Sequence, residues 1–312
     1  MAEKLYDVAV LGGGPGGCTA ALYAARAGLR TVVLEQLSAG GQMADTPLIE
    51  NYPGFPEGVG GFELGQLMQQ GAERAGAEFR LSQVLSASLA GPVKRIETDG
   101  GPVSARCVVL ATGATPRPLG LDGEAELRGR GVSYCAACDG MRYKGKTVVV
   151  VGGGNSAAAD AMLLSRIARK VILVHRRDSL RATKIYHDPL MQAENIEFRW
   201  NSIVTELLHE DKLTGVRLQD VTTGEQTTLA CDGVFISIGR RPATGLVQDQ
   251  LDLDPNGYII ADETTKTSLP GVYAVGDVRT KPLRQVVTAV ADGAVSASMA
   301  EEYLTEEAGK PA

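Results

Sequence analysis

The chain has 312 residues, of which 44% are hydrophobic and 22% charged, so it is long enough for two ordinary globular domains. Its net charge of −6 argues against nonspecific binding to nucleic acid, and no apolar run reaches the roughly 18 residues of a membrane span. The N-terminus lacks the pattern of a secretory signal, and we therefore expect a cytoplasmic protein that binds neither nucleic acid nor membrane.

The first forty residues predict a strand, a glycine loop, a helix and a second strand. The two strands, Leu5–Leu11 and Thr31–Glu35, are continuous apolar runs of the kind found in buried parallel sheets. The loop covers residues 12–17, and the helix is predicted at residues 18–27. This order is that of a βαβ unit in a doubly wound domain.

The loop contains G-x-G-x-x-G, formed by Gly12, Gly14 and Gly17. Glycines at these positions permit a tight turn and let the diphosphate of a dinucleotide approach the backbone and the start of the helix. Glu35 ends the second strand at about the 20-residue spacing at which an acid accepts a ribose hydroxyl. The loop therefore predicts a site for FAD or NAD, and the alternative is a glycine-rich turn without a ligand.

Cys135 and Cys138 form the only C-x-x-C pair in the sequence. Structural zinc requires four ligands, and neither the other cysteines nor the three histidines supply a ligand pattern, so no metal site is predicted. In a cytosolic protein with βαβ units, the pair indicates a redox-active dithiol in which one thiol has a lowered pKa. The remaining cysteines are expected to be small core residues: Cys18, Cys107 and Cys231.

Asp139 follows the cysteine pair directly and precedes Gly140. A carboxyl group in that place can carry the proton that each thiol–disulfide step requires. The alternative interpretation is a surface aspartate in a turn. Trp200, His187 and His209 belong to no evident constellation and are expected to pack or to lie at the surface.

A second copy of the βαβ pattern begins near Lys146. It predicts a strand at Thr147–Val151, a loop at 152–155, a helix at 156–168 and a strand at 170–175. Two copies of this unit predict an α/β fold with two Rossmann-like dinucleotide-binding domains.

The second loop has the fingerprint Gly152-x-Gly154-x-x-Ala157, with the alanine that the motif allows in its third place. At the position of Glu35 this copy carries His175-Arg176-Arg177, followed by Arg181. Guanidinium groups bind a 2′-phosphate through charge-assisted hydrogen bonds, so this site predicts NADP(H). The alternative is a solvated basic strand end. Two nucleotide sites in one chain predict a relay in which NADPH delivers a hydride and a flavin passes electrons to thiols.

Glycine- and proline-rich connections at 111–118 and 239–244 are predicted to be hinges. Beyond the second one, apolar strands are predicted at 258–260 and 272–275, and a final helix near 285–304. This tail is too short for a third domain and is expected to rejoin the first. The predicted domains are 1–116 and 244–312 for FAD, with 117–243 inserted as the NADPH domain that carries the C-x-x-C pair.

Together these residues resemble the low-molecular-weight, bacterial-type NADPH-dependent thioredoxin reductases over nearly the whole chain. The resemblance depends on the order and spacing of eight stretches: 12–17, 40–42, 50–54, 111–113, 135–140, 152–157, 175–181 and 276–285.

The resemblance implies the following contacts to FAD: Gly12, Gly14, Pro15, Gly17, Glu35, Gln42, Asn51, Thr112, Gly113, Asp277, Arg284 and Gln285. It implies the following contacts to NADPH: Gly152, Gly154, Asn155, Ser156, Ala157, His175, Arg176, Arg177 and Arg181. Cys138 would be the thiol nearest the flavin, Cys135 the thiol that attacks the disulfide of thioredoxin, and Asp139 the acid/base. The resemblance also implies a homodimer whose inserted domain swivels, so that the nicotinamide and the dithiol face the flavin in alternation.

The sequence departs from the family pattern at three places. Ala159-Asp160 replace a Glu-Glu pair, which puts the nicotinamide contact in question. Met141-Arg142 replace two aromatic residues that help to hold thioredoxin, so an atypical or differently charged thioredoxin is expected. Ala136-Ala137 lie between the cysteines, where Ala-Thr is common, and this change is expected to be nearly silent.

Several rival functions use the same scaffold. A flavin disulfide reductase could serve a glutaredoxin-like or peroxiredoxin-linked acceptor, although the peroxide-linked relatives carry an N-terminal domain that this sequence is expected to lack. A ferredoxin-dependent enzyme or a small-molecule dithiol oxidase would not need the second glycine loop with Arg176, Arg177 and Arg181. A nonenzymatic flavoprotein would not need Cys135, Cys138 and Asp139 together.

Overall fold

The computed structural model describes residues 4–46 and 48–309, and its chain divides into two compact units. One unit runs to Thr115 and resumes at Arg241, and the other is Pro116–Arg240. The outermost residues of the predicted domains, 1–3 and 310–312, lie outside the described residues.

The described residues form six α-helices and 17 strands. The helices are α1 (Pro15–Arg26), α2 (Gly61–Arg74), α3 (Ala136–Asp139), α4 (Asn155–Ser165), α5 (His187–Gln192) and α6 (Val286–Ala308). The strands are β1 (Leu5–Leu11), β2 (Thr31–Glu35), β3 (Glu78–Leu81), β4 (Val84–Ser88), β5 (Lys94–Thr98), β6 (Val103–Leu110), β7 (Ala114–Pro116), β8 (Val132–Ser133), β9 (Thr147–Val151), β10 (Lys170–Val174), β11 (Ile196–Arg199), β12 (Ser202–His209), β13 (Leu213–Asp220), β14 (Gln226–Ala230), β15 (Gly233–Ile236), β16 (Arg240–Pro242) and β17 (Val272–Ala274).

The first unit is built on one sheet in the order β3-β2-β1-β6-β5-β4, with β17 also paired to β6. Strands β1, β2, β3, β6 and β17 run parallel, whereas β4 and β5 add an antiparallel hairpin. Both faces of β1 and β6 are covered by apolar clusters, as their uninterrupted hydrophobic sequences predict. The glycine loop after β1 therefore lies at the carboxyl edge of the sheet, where doubly wound folds bind ligands.

Helix α1 begins at Pro15, three residues before the predicted start at Cys18. Proline is favoured at the first helical position because its fixed φ suits the helix and its missing N–H would have no intrahelical partner there. The early start also takes Gly16 and Gly17 into the first turn, where a side chain at Gly17 would come within 1.9 Å of the carbonyl oxygen of Gly12. The helix can therefore pack directly on the loop that precedes it.

The second unit contains a parallel sheet in the order β11-β10-β9-β15-β8 and a separate antiparallel sheet, β12-β13-β14. Strand β9 is buried along its whole length. Helix α4 starts at Asn155 and ends at Ser165, and the last strand of the predicted copy ends at Val174. The glycine loop between β9 and α4 again lies at the carboxyl edge of the sheet.

The two connections between the units run beside each other as the short strands β7 and β16. The predicted strand at 258–260 is wrong, because only Ile259 forms isolated bridges, to Leu253 and Arg279. The apolar pattern there reflects the burial of Ile259, which is fully buried, and not membership of a β-sheet. Among the described residues, no helix combines the length and the apolar character that crossing a membrane requires.

These observations confirm the predicted α/β fold with two Rossmann-like units, the second inserted between the two parts of the first.

Helix α6 crosses α1 at a glycine, and this contact yields a stability prediction. A side chain at Gly293 would meet the carbonyl oxygen of Gly16 at 2.3 Å and the amide nitrogen of Ala20 at 2.8 Å. Because these are backbone atoms, we expect Gly293→Ala to lower the free energy of unfolding by about 1–3 kcal/mol. Urea denaturation measures this loss.

The control for this prediction is Gly71→Ala in α2, where no atom lies within 4 Å of the added methyl group. Removing a flexible glycine from an open helical position should raise stability by about 0.5–1 kcal/mol. Equal effects of the two substitutions would contradict the close helix crossing.

Candidate active site

The loop after β1 has the geometry of a diphosphate cradle. Gly12 has a φ of 107°, in the region that favours glycine, and its backbone amide donates a hydrogen bond to the carbonyl oxygen of Leu34. A side chain at Gly14 would meet nothing within 4 Å, so the space before the start of α1 is open. Backbone amides at a helix N-terminus favour anions. The residues present therefore fit the diphosphate of a dinucleotide.

Glu35 lies at the end of β2 and faces this loop. Its Oε2 atom accepts a hydrogen bond of 2.6 Å from the amide of Gly13, and Oε1 accepts one of 3.0 Å from Leu37. These bonds orient the carboxylate beside the loop, and each oxygen keeps a further acceptor position. The arrangement suits ribose hydroxyl donors.

Other residues predicted to contact FAD are tied to one another at the same end of the first unit. The side-chain amide of Asn51 donates a hydrogen bond of 3.0 Å to the Oε1 atom of Gln285. The side chain of Gln42 donates to the carbonyl of Ala114, which lies just after Gly113.

The segment around Thr112 and Gly113 contacts the chain where it returns to the first unit. The hydroxyl of Thr112 donates to the carbonyl of Ala243 at 2.8 Å, and the amide of Ala243 donates to the carbonyl of Gly113 at 2.9 Å. Gly113 has a φ of 71°, which favours glycine. This segment is therefore fixed on both sides.

Arg284 organises the loop that carries Asp277. Its guanidinium donates to the backbone carbonyls of Asp277, Arg279 and Lys281 at 3.0–3.3 Å. It also lies 3.9 Å from the centre of the Tyr258 ring, a cation–π distance. The family resemblance implies a cofactor contact for Arg284, and the structure adds that this side chain holds the loop itself.

Asp292 of α6 also holds this loop, and sequence analysis missed this residue. Its carboxylate accepts two hydrogen bonds from Arg279, at 2.8 and 3.0 Å, one from Lys281 at 2.6 Å and one from the amide of Gly276 at 2.8 Å. Burial opposes ionisation of Asp292, but the hydrogen bonds from Arg279 and Lys281 outweigh it and hold the pKa of this carboxyl below its ordinary value. Asp292 is the one charged residue in the sequence run 286–300, and this isolated charge was the signal that could have indicated it.

In the second unit, Cys135 and Cys138 are joined by a disulfide with Cα atoms 5.3 Å apart. Cys135 precedes the single turn of α3, and its carbonyl accepts from the amides of Cys138 and Asp139 at 3.2 and 3.1 Å. The Sγ atom of Cys135 also accepts from the amide of Cys138 at 3.2 Å. The turn thus holds both sulfur atoms and Asp139 in one short, internally bonded segment.

Close packing anchors this turn to the sheet of the second unit. A side chain at Gly140 would meet Leu164 of α4 at 3.3 Å. The ring of Tyr143 covers Gly233 so closely that a side chain there would come within 2.3 Å of it, and it packs edge-on against Phe235 at 5.1 Å. The turn that carries the redox pair is therefore closely packed against α4 and β15.

Asp139 is held from two sides. Its Oδ2 atom accepts a hydrogen bond of 2.6 Å from the hydroxyl of Ser133, a buried residue that sequence analysis missed. Its Oδ1 atom lies 3.8 Å from the guanidinium of Arg142, which also donates to the carbonyl of Gly129 at 3.2 Å. Asp139 is thus largely covered, with 17% of its side chain exposed, in contrast to the alternative of a surface turn.

The loop after β9 repeats the first cradle. Gly152 has a φ of 146°, and a side chain there would come within 2.4 Å of the carbonyl oxygen of Ser237. Gly154 faces open space at the start of α4, whereas Ala157 is fully buried beneath the loop. Asn155 accepts a hydrogen bond of 2.8 Å from the amide of Thr183, and Ser156 is exposed at the surface.

The basic cluster predicted for a 2′-phosphate lies beside this loop. His175 is 7% exposed and covers Gly153, and its Nε2 atom has no hydrogen-bond partner among the described residues. Burial lowers the pKa of His175, and the like charges of Arg177, Arg176 and Arg181 lower it further. The three arginine side chains are exposed. An unpartnered buried nitrogen next to three guanidinium groups fits an anionic ligand.

Trp200 contacts two other rings, which the sequence analysis did not predict. Its ring stacks on Phe198 with centroids 4.7 Å apart and lies edge-on to His175 at 6.4 Å. The structure thus places Trp200 as a support for His175. Phe198 lies in β11, and Trp200 follows directly after that strand ends at Arg199.

Asp160, which replaces a family glutamate, faces the end of β15. Its carboxylate accepts a hydrogen bond of 2.5 Å from Ser237. Burial raises the pKa of Asp160, and the Ser237 hydrogen bond and the charge of Arg240 only partly offset this. The family departure therefore leaves a half-buried acid at the carboxyl edge of the second sheet.

The other cysteines are confirmed as core residues. Cys18, Cys107 and Cys231 are buried and form no disulfide, and burial raises the pKa of each thiol to about 12. Within the described part of the chain, no group of three or more His, Cys, Asp or Glu side chains is arranged to hold a metal ion.

Comparison with known proteins gives the same assignment from several directions. The family model of the pyridine nucleotide-disulphide oxidoreductases matches residues 6–293. The thioredoxin reductase of Listeria monocytogenes is 44% identical over 97% of this chain and 95% of its own length. The bifunctional thioredoxin reductase/thioredoxin of Mycobacterium leprae is 46% identical over 99% of this chain and 68% of its own length. The crystal structure of thioredoxin reductase from Streptococcus pyogenes is 42% identical, covers 98% of this chain and 100% of its own, and has a TM-score of 0.91.

The buried network around Asp292 predicts a pH-dependent contribution to stability. Because its pKa is lowered in the folded state, the stabilisation is fully present above the pKa of an unfolded aspartate, about 3.9, and is lost as the pH falls through the folded value. We expect Asp292→Asn to cost about 3–5 kcal/mol at neutral pH, since it leaves two buried cations without their anion. The difference from the wild type should narrow below about pH 4.

Urea denaturation between pH 7 and pH 3 measures this narrowing. Asp249→Asn, at an exposed position of the same unit, is the control and should change stability by less than about 0.5 kcal/mol. A difference between wild type and Asp292→Asn that stays constant with pH would contradict the ionised network.

Proposed function

The chain belongs to the pyridine nucleotide-disulphide oxidoreductases and, within them, to the thioredoxin reductases, and from this premise we propose a role for each part of its site. The protein is an FAD-dependent enzyme that uses NADPH to reduce the disulfide of thioredoxin. The Cys135–Cys138 disulfide, in the same unit as the basic cluster at 175–181, is the observation that carries the proposed roles. No observation favours the rival acceptors.

We propose that the first unit binds FAD. The loop at Gly12, Gly14, Pro15 and Gly17 binds the diphosphate, and Glu35 accepts the ribose hydroxyls. The flavin is held by residues from four further segments: Gln42, Asn51, Thr112, Gly113, Asp277, Arg284 and Gln285. FAD bound by these residues would supply a group that accepts a hydride from NADPH and passes two electrons to a disulfide. The open space at Gly14 and the carboxylate fixed beside Gly13 support this assignment.

We propose that the second unit binds NADPH. Gly152, Gly154, Asn155, Ser156 and Ala157 bind the diphosphate at the start of α4. Guanidinium groups from the 175–181 segment bind the 2′-phosphate, with His175 as a further partner. The unpartnered Nε2 atom of His175 and the exposed arginines support this proposal.

The cysteine pair performs the thiol chemistry. Two electrons break the Cys135–Cys138 bond, and two protons complete the dithiol. The Cys135 thiolate then attacks the disulfide of thioredoxin, so that a mixed disulfide forms and one thioredoxin sulfur leaves and takes a proton. Cys138 next attacks the sulfur of Cys135, which releases reduced thioredoxin and restores the starting disulfide. Asp139 carries protons to and from these sulfur atoms.

The domain boundaries belong to the proposal as well. Residues 1–116 and 244–312 form the FAD domain and 117–243 the NADPH domain. The compact units, which meet at Thr115/Pro116 and Arg240/Arg241, support this division. The family resemblance supports a homodimer, and a cytoplasmic location is consistent with the chemistry of NADPH and free thiols.

We propose that the acceptor is an atypical thioredoxin. Met141 is exposed, and Arg142 is partly exposed next to the redox pair. A flexible thioether and a guanidinium replace two rigid aromatic rings, so the partner surface should offer a carboxylate or a carbonyl where other thioredoxins offer apolar contact.

The basic cluster predicts cofactor choice. We expect the double substitution Arg176→Ala and Arg181→Ala to raise the KM for NADPH about 10–100-fold, because together the two changes remove charge-assisted bonding to the 2′-phosphate worth about 1.5–3 kcal/mol. The KM for NADH should change by less than about threefold, since NADH lacks that phosphate.

Steady-state kinetics with both nucleotides measures this choice. Arg217→Ala is the control, because Arg217 lies on β13 and pairs with Glu206 at 2.7 Å. A parallel loss with NADPH and NADH would refute the 2′-phosphate assignment.

Cys135→Ser separates the two halves of the reaction. NADPH should still bleach the flavin at about the wild-type rate, whereas thioredoxin turnover should fall by at least about a thousandfold, since a hydroxyl is a far weaker nucleophile than a thiolate. Anaerobic stopped-flow absorbance and a thioredoxin-coupled thiol assay give the two rates. Cys231→Ala removes a buried thiol and should leave both unchanged. Retained turnover in Cys135→Ser would rule out the assigned redox pair.

A further inference from the structure

Ser133 has an unusual position for a residue outside the C-x-x-C motif. It is the last residue of β8, is 3% exposed and lies two residues before Cys135. Its hydroxyl donates to the Oδ2 atom of Asp139 at 2.6 Å. The same oxygen accepts a hydrogen bond of 3.1 Å from the amide of Cys135. One buried hydroxyl therefore connects the carboxyl group to the backbone of the attacking cysteine.

The single hydroxyl hydrogen of Ser133 decides how Asp139 can carry a proton. The carbonyl of Cys135 is a second acceptor within reach, but at 3.4 Å it is much the weaker one. The hydrogen therefore goes to Oδ2 of Asp139, which acts as an acceptor there. A proton carried by Asp139 consequently belongs on Oδ1, the other oxygen.

Arg142 fixes the opposite side of the carboxyl group. Its guanidinium lies 3.8 Å from Oδ1 of Asp139 and is itself held by the carbonyl of Gly129. This arginine is one of the two residues that replace family aromatics. The carboxyl plane is thus held between a buried serine and an anchored arginine, which limits its rotation.

We propose that Ser133 is a positioning residue for proton transfer: it orients Asp139 so that Oδ1 is the oxygen that gives and takes the proton. The inference rests on the proposed role of Asp139 as acid/base. In each cycle, the sulfur that leaves thioredoxin takes a proton from Oδ1, and Oδ1 regains one from a cysteine thiol when that thiol becomes the attacking thiolate. No electrons pass through Ser133 or Asp139.

The test compares Ser133→Ala, Ser133→Thr, Asp139→Asn and the double variant Ser133→Ala/Asp139→Asn, each as the flavin-loaded enzyme. Ser165→Ala is the matched control, because this serine lies in the same unit and its hydroxyl bonds only the carbonyl of Met162 among the described contacts. Three quantities are measured: the rate at which NADPH bleaches the flavin, kcat and KM for thioredoxin, and the solvent deuterium isotope effect on kcat.

We expect Ser133→Ala to lower kcat about tenfold, a fraction of the 10²–10⁴-fold that a general acid–base group contributes. The KM for thioredoxin and the bleaching rate should stay within about twofold of wild type, because neither requires proton transfer by Asp139. The isotope effect should rise as proton transfer becomes more rate-limiting. Ser133→Thr keeps the hydroxyl and should retain more turnover than Ser133→Ala.

The double variant decides whether Ser133 acts through Asp139. If it does, Ser133→Ala costs nothing further in the Asp139→Asn background. A further fall in kcat when Ser133→Ala is added to Asp139→Asn overturns the inference. So does a Ser133→Thr variant whose flavin is bleached normally by NADPH but whose kcat is no higher than that of Ser133→Ala. Unchanged kcat in Ser133→Ala with impaired Asp139→Asn overturns this inference alone. Unchanged kcat in Asp139→Asn removes the proposed acid/base role and the inference with it.

Discussion

The close approach of backbone to backbone at the glycine loops is the constraint on which both units depend. Gly17 lies so near the carbonyl of Gly12 that no side chain fits, and Gly293 likewise brings α6 close to the carbonyl of Gly16 in α1. In the second unit, Gly152 makes the same approach to Ser237. The contact of Gly17 with Gly12 draws the N-terminus of α1 to the carboxyl edge of its parallel sheet, where backbone amides face open space. The sites therefore follow from the absence of side chains at a few positions.

The two cradles differ in the charge placed beside them. The carboxylate of Glu35 is fixed by the amide of Gly13 in the first unit, whereas His175 covers Gly153 in the second, next to three guanidinium groups. Because the geometry is shared, our proposal that FAD binds the first unit and NADPH the second depends on this difference in charge.

The redox pair depends on support that lies outside its own motif. Tyr143 packs over Gly233 and Gly140 packs against α4, which fixes the short turn that holds both sulfur atoms. Ser133 and Arg142 then hold Asp139 from opposite sides. Near the first cradle, Asp292 does the same for the loop at 276–281, through two buried cations. In both places a polar group that would be costly to bury alone is balanced by partners brought from other elements.

The sequence by itself determined the elements whose signals are local. Apolar runs defined β1, β2 and β9 to the residue, and glycine spacing located both loops. The acid that ends β2 and the basic residues that follow β10 are the basis of the proposed nucleotide assignment. Tertiary structure decided what depends on distant partners. The pattern at 258–260 indicated burial but not pairing, because a strand exists only where a neighbour offers its hydrogen bonds. Three contacts join residues that no sequence periodicity connects. They are the hydrogen bond from Ser133 to Asp139, the bonds from Arg279 and Lys281 to Asp292, and the ring contact of Trp200 with His175. Such contacts arise only when the folded sheets bring these side chains within a few ångströms of each other.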